Sequence, residues 1–297
     1  MKRRILNIAV FRKETLYQKM RALIIYLVIS AVFIGCTPIL SIDASTQSVY
    51  HFSDTDKNIS LLDISETFGT YDGSFVLYDN NLDSWKIYDL EEATKRIPPE
   101  STYKIYDALL GLESGIITPE HSSMTWNGDA FPFPSWEADQ DLNSAIQNSV
   151  NWYFQAIDSQ LGINRVQEFL NKIEYGNQTT SSNLDLYWSD FSLKISPLEQ
   201  VTLLKKFNTN EFHLNSQNVF SVKNAIKIAS TPNGNFYGKT GTGRVNGQDI
   251  NGWFIGYVET SDNSYYFATN IQSDSNATGK KAFEITSDIL KKLHIWN

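Results

Sequence analysis

Hydrophobic and polar positions follow three different rhythms along this chain. Gly73 to Asp79 (GSFVLYD) and Ser84 to Tyr88 (SWKIY) are short runs rich in aromatic and β-branched residues. They are separated by Asn80-Asn81, and together they predict a β-hairpin. After Pro98-Pro99 the rhythm changes: neither Gly nor Pro occurs again before Gly111, and an apolar-periodic run predicts a helix starting near Ser101. Residues 115–210 read as mostly helical, with aromatic-rich loops and no internal repeat. Phe236 to Thr240 (FYGKT) predicts a short strand, followed by a glycine-rich connection through Gly241-Thr242-Gly243 and Asn246-Gly247. Trp253 to Val258 and Tyr265 to Ile271 are strong strand segments, and Lys280 to Leu293 closes the chain as an amphipathic helix. Strands at both ends with helices between them predict an α+β fold. One antiparallel sheet is built from the N- and C-terminal parts, a helical region is inserted, and a cleft lies between the two.

The N-terminus stands apart from this body. Ala22 to Ile42 is a charge-free, mostly apolar run of 21 residues, long enough to span a bilayer. Seven Lys/Arg and one acid, Glu14, occupy residues 1–42, and Asp43, Asp54 and Asp56 follow the run. The positive-inside rule then gives a single-pass cell-membrane protein with a cytoplasmic N-terminus and an extracytoplasmic body. A signal peptide cut near Ala44, or a lipoprotein site at Cys36, competes with a retained anchor, which is preferred. The expected organisation is a basic cytoplasmic segment (1–21), a transmembrane helix (22–42), a polar linker (43–70) and a folded domain (71–297).

Charge and composition narrow the function classes. The net charge is −8, and beyond residue 42 the body carries 18 basic against 32 acidic side chains. An acidic body argues against nucleic acid as a partner. Cys36 is the single cysteine, so no intrachain disulfide can form. Four scattered histidines (His51, His121, His213, His294) show no ligand spacing, and no metal is expected.

Three short motifs carry candidate chemistry. Ser101 and Lys104 sit three residues apart at the start of a predicted helix, so the amine can reach the hydroxyl and take its proton. Ser149-Val150-Asn151, in a predicted helical run, offers a second hydroxyl for proton relay and an amide for the substrate or the lysine. Lys239-Thr240-Gly241 lies on a strand whose edge can pair with a flat amide substrate, and Gly241 permits close approach. Lys239 with the hydroxyls of Thr240 and Thr242 suits an anionic carboxylate.

In the order S-x-x-K, S-x-N, K-T-G, over about residues 70–295, the chain resembles the penicillin-recognising serine enzymes. It is similar to class D serine β-lactamases, and more closely to the sensor domains of membrane-bound β-lactam-sensing regulators. Tyr175-Gly176-Asn177, Tyr187-Trp188 with Leu193-Lys194-Ile195-Ser196-Pro197, and Gly252-Trp253-Phe254-Ile255-Gly256 also carry the resemblance.

The resemblance implies that Ser101 is acylated by β-lactams, that Lys104 is the base and that Ser149 relays a proton. Backbone N–H groups of Ser101 and Thr242 would form the oxyanion hole. No cofactor is implied beyond a CO2-derived N-carboxylation of Lys104, which the indole N–H of Trp188 would steady. Tyr175 and Asn177 belong to a supporting turn. Asn151 stands where class D hydrolases usually carry an apolar residue, and an amide bonded to Lys104 would leave no base for deacylation. The expected function is therefore an extracytoplasmic β-lactam receptor. The alternatives are an exported class D β-lactamase, a cell-wall transpeptidase or carboxypeptidase, and an inert interaction module. Lys2 to Ile8 before an apolar run resembles the segment preceding the last membrane helix of those regulators, whose upstream zinc-protease region is missing here. The chain looks like a last helix and sensor from a split or shortened gene, or an anchored penicillin-binding protein. Expected partners are β-lactam antibiotics, the membrane and a separate membrane zinc-protease region.

Overall fold

A computed structural model describes residues 58–297. The basic segment, the apolar run 22–42 and residues 43–57 of the linker lie outside the described residues. No described helix is long and apolar enough to cross a membrane.

The described chain begins with strand β1 (Ile59–Leu61) and helix α1 (Ser65–Phe68), both inside the range predicted as linker. The hairpin follows as predicted, β2 (Asp72–Asp79) and β3 (Ser84–Tyr88), and then α2 (Leu90–Thr94). The helical region comprises α3 (Lys104–Glu113), α4 (Leu142–Gln147), α5 (Asn151–Leu161), α6 (Ile163–Ile173), α7 (Pro197–Asn208) and α8 (Ser216–Ala225). The chain returns to the sheet through β4 (Lys227–Thr231), β5 (Gly234–Val245), β6 (Gln248–Thr260) and β7 (Ser264–Gln272). It ends with α9 (Gly279–Lys292).

The sheet has seven strands in the order β1-β3-β2-β7-β6-β5-β4. All neighbours are antiparallel except β1 with β3. The pairing of β2 with β7 joins the N- and C-terminal parts, as the strand pattern predicted. Two segments depart from expectation. Gly241-Thr242-Gly243 continues β5 instead of ending it, because each residue pairs across to β6 (Gly241 with Trp253, Thr242 with Gly252). The connection is reduced to Asn246-Gly247, both with positive φ, as a tight hairpin turn requires. The short strand β4 was not anticipated; its exposed, polar sequence carries no alternation.

The central strands are buried on both faces, which explains their unbroken apolar runs. Val76 and Tyr78 of β2, Ile255 and Tyr257 of β6, and Ala268 of β7 face the helical region. Phe75, Leu77, Phe254, Val258 and Phe267 face the opposite side, under α9 and α1. The period-two alternation thus feeds two cores from one strand set.

Candidate active site

Lys104 does not sit within a helix that begins at Ser101. Glu100–Tyr103 forms a single 3₁₀ turn, and α3 starts at Lys104. In a 3₁₀ turn side chains at i and i+3 eclipse, which sets the Lys104 amine directly on Ser101. The Lys104 Nζ donates to Ser101 Oγ at 3.0 Å. Several bonds clamp the turn: Thr102 Oγ1 donates to Pro99 O at 2.6 Å and accepts from Gln200 at 2.9 Å. The Glu100 N–H donates to Trp188 O, and the Trp253 indole N–H to Pro98 O.

The second motif is helical only at its last residue. Ser149 lies in the link between α4 and α5 with φ of 54°, and Asn151 is the first residue of α5. Left-handed backbone at a non-glycine residue costs about 1–3 kcal/mol and is held only where surroundings enforce it. Glu100, just before the nucleophile, has φ of 53° as well. The bend at Ser149 brings its hydroxyl to Lys239, whereas the Glu100 side chain turns to Asn251. The Asn151 Oδ1 accepts from the Lys104 Nζ at 2.8 Å, and the Ser149 Oγ accepts from the Lys239 Nζ.

Lys239 arrives on β5 and also donates to Thr240 O at 3.0 Å. It is 5% exposed, and its side-chain partner is Ser149. Thr240 and Thr242 do line the cleft, and the Thr242 hydroxyl accepts from the Gly279 N–H at the start of α9. Gly241 is required by proximity: a Cβ there would stand 3.2 Å from the Ser101 nitrogen and 3.1 Å from Pro99 O. A side chain would push the strand away from the nucleophile.

These residues converge on a cleft of about 330 Å³ lined by Ser101, Ser149, Asn151, Thr240, Gly241 and Thr242. Phe133, Trp136, Arg244 and Asp249 form its rim. A cavity of about 270 Å³ beside the Arg96–Glu199 ion pair contains no serine. Among the described residues no cluster suits a metal ion.

The electrostatics are those of charge confined away from water. Burial lowers Lys104 to about 8, against the opposing pull of Asp107, Glu100 and Asp158. Burial and the Lys104 charge hold Lys239 well below the usual lysine range. Burial pushes Glu100 up to about 8, with the Asn251 bond and Lys104 acting the other way. The Lys104 Nζ also lies 5.5 Å from the Trp188 ring centroid and 5.7 Å from that of Phe154, so the amine meets the indole's face. Tyr175 packs edge-on against Tyr103 and Tyr106. Asn177 bonds Ser192 O and the Lys194 N–H, bracing the turn beneath the site and touching none of the cleft groups.

Sequence reasoning missed Glu100, Asp107 and Asp158, whose carboxyls sit behind the nucleophile turn. A signal was present for one: Asp107 is an acid in the otherwise apolar stretch Ile105 to Leu110, on the same helix face as Lys104.

A nucleophile on a clamped turn, two buried lysines and an open strand edge define a serine acyl-transfer site. The chain belongs to the penicillin binding protein transpeptidase domain family, whose model matches residues 69–291. Regulatory protein BlaR1 of Bacillus licheniformis is 43% identical over 298 residues, covering 99% of this chain and 49% of that protein. The solved C-terminal domain of the Bacillus licheniformis BlaR penicillin-receptor superposes with a TM-score of 0.79 at 44% identity, over 83% of this chain and all of that domain. The class D β-lactamase BAT-2 superposes with a TM-score of 0.75 at 36% identity, over 80% of this chain and 97% of that one. The chain spans about half the length of the curated regulators it matches.

Proposed function

We propose that the domain is a β-lactam receptor: Ser101 opens the lactam ring and keeps the acyl group, and the persistent adduct is the signal. The observation that carries it is the double engagement of one amine. The Lys104 Nζ bonds the nucleophile at 3.0 Å and the Asn151 amide oxygen at 2.8 Å. The first contact activates Ser101; the second occupies the amine in the place where a carbamate would form. Lys104 therefore works as a free amine rather than as an N-carboxylated lysine.

In acylation Lys104 takes the Ser101 proton as Oγ attacks the lactam carbonyl. The N–H groups of Ser101 and Thr242 stabilise the oxyanion. As the C–N bond breaks, the Ser149 hydroxyl, held by Lys239, delivers a proton to the departing nitrogen. Thr240 and Thr242 take the drug's carboxylate. The apolar run 22–42 anchors the domain on the outer side of the membrane. The BlaR1 and BlaR penicillin-receptor relatives support the receptor reading.

The test is intact-protein mass spectrometry of the full chain in detergent, mixed with excess benzylpenicillin and followed over hours. One persistent adduct, absent from Ser101→Ala, is expected. Consumption of the drug with mostly unmodified protein would instead make the chain a class D β-lactamase, and the role of Asn151 would be wrong.

A further inference from the structure

A second cavity, of about 260 Å³, adjoins the cleft along β5. The two share Thr240: the cleft continues over Gly241 and Thr242, the second cavity over Gly238 and Lys239. They are also consecutive on the helical side, where Ile146 and Gln147 line the second cavity and Asn148 and Ser149 the cleft. The strand edge they share is open. Pairing of β4 with β5 ends at Lys227 opposite Tyr237, and the Gly238 N–H donates to Ile226 O at 2.9 Å. Beyond that point no described strand covers β5 on this side. Thr240 stands opposite Phe254 on β6, so both side chains leave the sheet on the α9 face. There the Phe283 ring packs edge-on against Phe254, with centroids 4.9 Å apart.

The lining is mostly apolar. Ala225, Ile226 and Ile228 come from the junction of α8 with β4, Ile146 from α4, and Phe254 and Phe283 from β6 and α9. Gly238 leaves room for the Phe254 ring, because a Cβ there would stand 2.6 Å from it. The charged side chains of the lining, Lys227 and Lys239, are both basic, and the Lys227 amine lies 5.6 Å from the Tyr237 ring centroid. Such a lining accepts an apolar group and repels a cation.

We infer that this cavity is the subsite for the substituent beside the carboxylate on the second ring of a bicyclic β-lactam. It makes the receptor prefer drugs carrying an apolar group there, above all cephalosporins with an aryl substituent. This rests on the receptor assignment above, in which Ser149 protonates the departing lactam nitrogen while Thr240 and Thr242 take the carboxylate. Nitrogen and carboxylate belong to one ring of the drug, so that ring spans Ser149 and Thr240. The ring atom next to the carboxylate-bearing carbon is then turned past Thr240, along the open edge of β5, toward Ile146 and Ile228. A group bonded there through carbon stays on the drug as the Oγ–C bond forms and the lactam C–N bond breaks. It therefore occupies the cavity before and after acylation.

The test is the second-order rate of Ser101 labelling in the full-length chain in detergent, followed by intact-protein mass spectrometry. Three cephalosporins share a phenylacetamido side chain and carry hydrogen, phenyl or N-methylpyridinium-4-yl beside the carboxylate-bearing carbon. Each rate is divided by the compound's own rate of alkaline hydrolysis, which removes differences in intrinsic reactivity. The phenyl compound should label about tenfold faster than the hydrogen compound, and the pyridinium compound no faster than hydrogen. Ile228, 45% exposed at the edge strand, can be changed with little cost to the core. Ile228→Ser should cut the phenyl advantage about threefold or more. Lys227→Glu should raise the ratio of pyridinium to phenyl labelling about fivefold, and it keeps the test intact should Ile228→Ser not fold. Equal normalised rates for the three compounds, a phenyl advantage untouched by Ile228→Ser, or a ratio unmoved by Lys227→Glu overturns the inference. Benzylpenicillin run in parallel separates the two claims. If it labels Ser101 durably while the cephalosporins do not differ, the subsite alone fails. If it is consumed with the protein left free, the receptor assignment fails, and the same ratios, read as kcat/KM, still judge the subsite.

Discussion

Two buried lysines flank the cleft, each donating to one serine, and they differ in what stands behind them. Lys104 has Asp107, Glu100 and Asp158 opposing the loss of its proton, and two aromatic faces over its amine. Lys239 has no acid acting on it; burial and its like-charged neighbour both press it toward the neutral form. In the mechanism proposed above, the same residue type is a proton carrier on the helical side and a fixed support on the strand side. Position in the fold, rather than side-chain chemistry, divides the labour.

The sharpest way to break this comparison is to truncate each lysine. Lys104→Ala should slow Ser101 acylation by about 10²–10⁴-fold, the usual contribution of a general base. Lys239→Ala should cost less, about tenfold to a hundredfold, because Ser149 survives and loses only its partner. Equal losses in labelling kinetics would erase the distinction. Next in size is Asn151→Val, which frees the Lys104 amine from its 2.8 Å bond. Acyl-adduct lifetime, followed by mass spectrometry, should shorten about tenfold or more. An unchanged lifetime would remove Asn151 from the account.

The smallest effect concerns stability. Burial raises Glu100 to about 8, from an ordinary value of 4.5. Between those values the native state binds more protons than the unfolded one. Its contribution is therefore full below pH 4.5 and is lost as pH rises through 8. Glu100→Gln retains a neutral side chain at every pH. Thermal unfolding from pH 5 to 8 should show a gentler fall in Tm than wild type; parallel curves would show that Glu100 ionises freely.

Much of this architecture is written in local pattern. The runs at Phe75–Tyr78 and Trp253–Val258 announce strands because both faces of the sheet are covered, so nearly every side chain is apolar. The three motifs are legible because acyl transfer restricts which residue types can stand together. Where sequence fell short, the deciding force was long-range. Gly241-Thr242-Gly243 looks like a loop, yet it pairs with β6 because glycine is what lets the strand approach the Ser101 turn. Ser149 looks helical, yet a positive φ turns it toward Lys239, a partner ninety residues away in the chain. Asp107 and Asp158 are buried on two packed helices that no motif links.

The pairing of β2 with β7 has a consequence for the birth of the protein. Asp72 meets Gln272 and Asp79 meets Tyr265, with the whole helical region closed inside that loop. Contacts so distant along the chain are formed late and slowly, because the loop's entropy must be surrendered before the strands reward it. A growing polypeptide therefore holds its finished nucleophile motif long before it holds a sheet to brace it. Helices α3 to α8 can gather early, while β2 and β3 wait with an unpaired edge for the last third of the chain. Aggregation through that waiting edge is the hazard of this topology, and hydrogen exchange pulsed during refolding should find β2 protected only when β7 is.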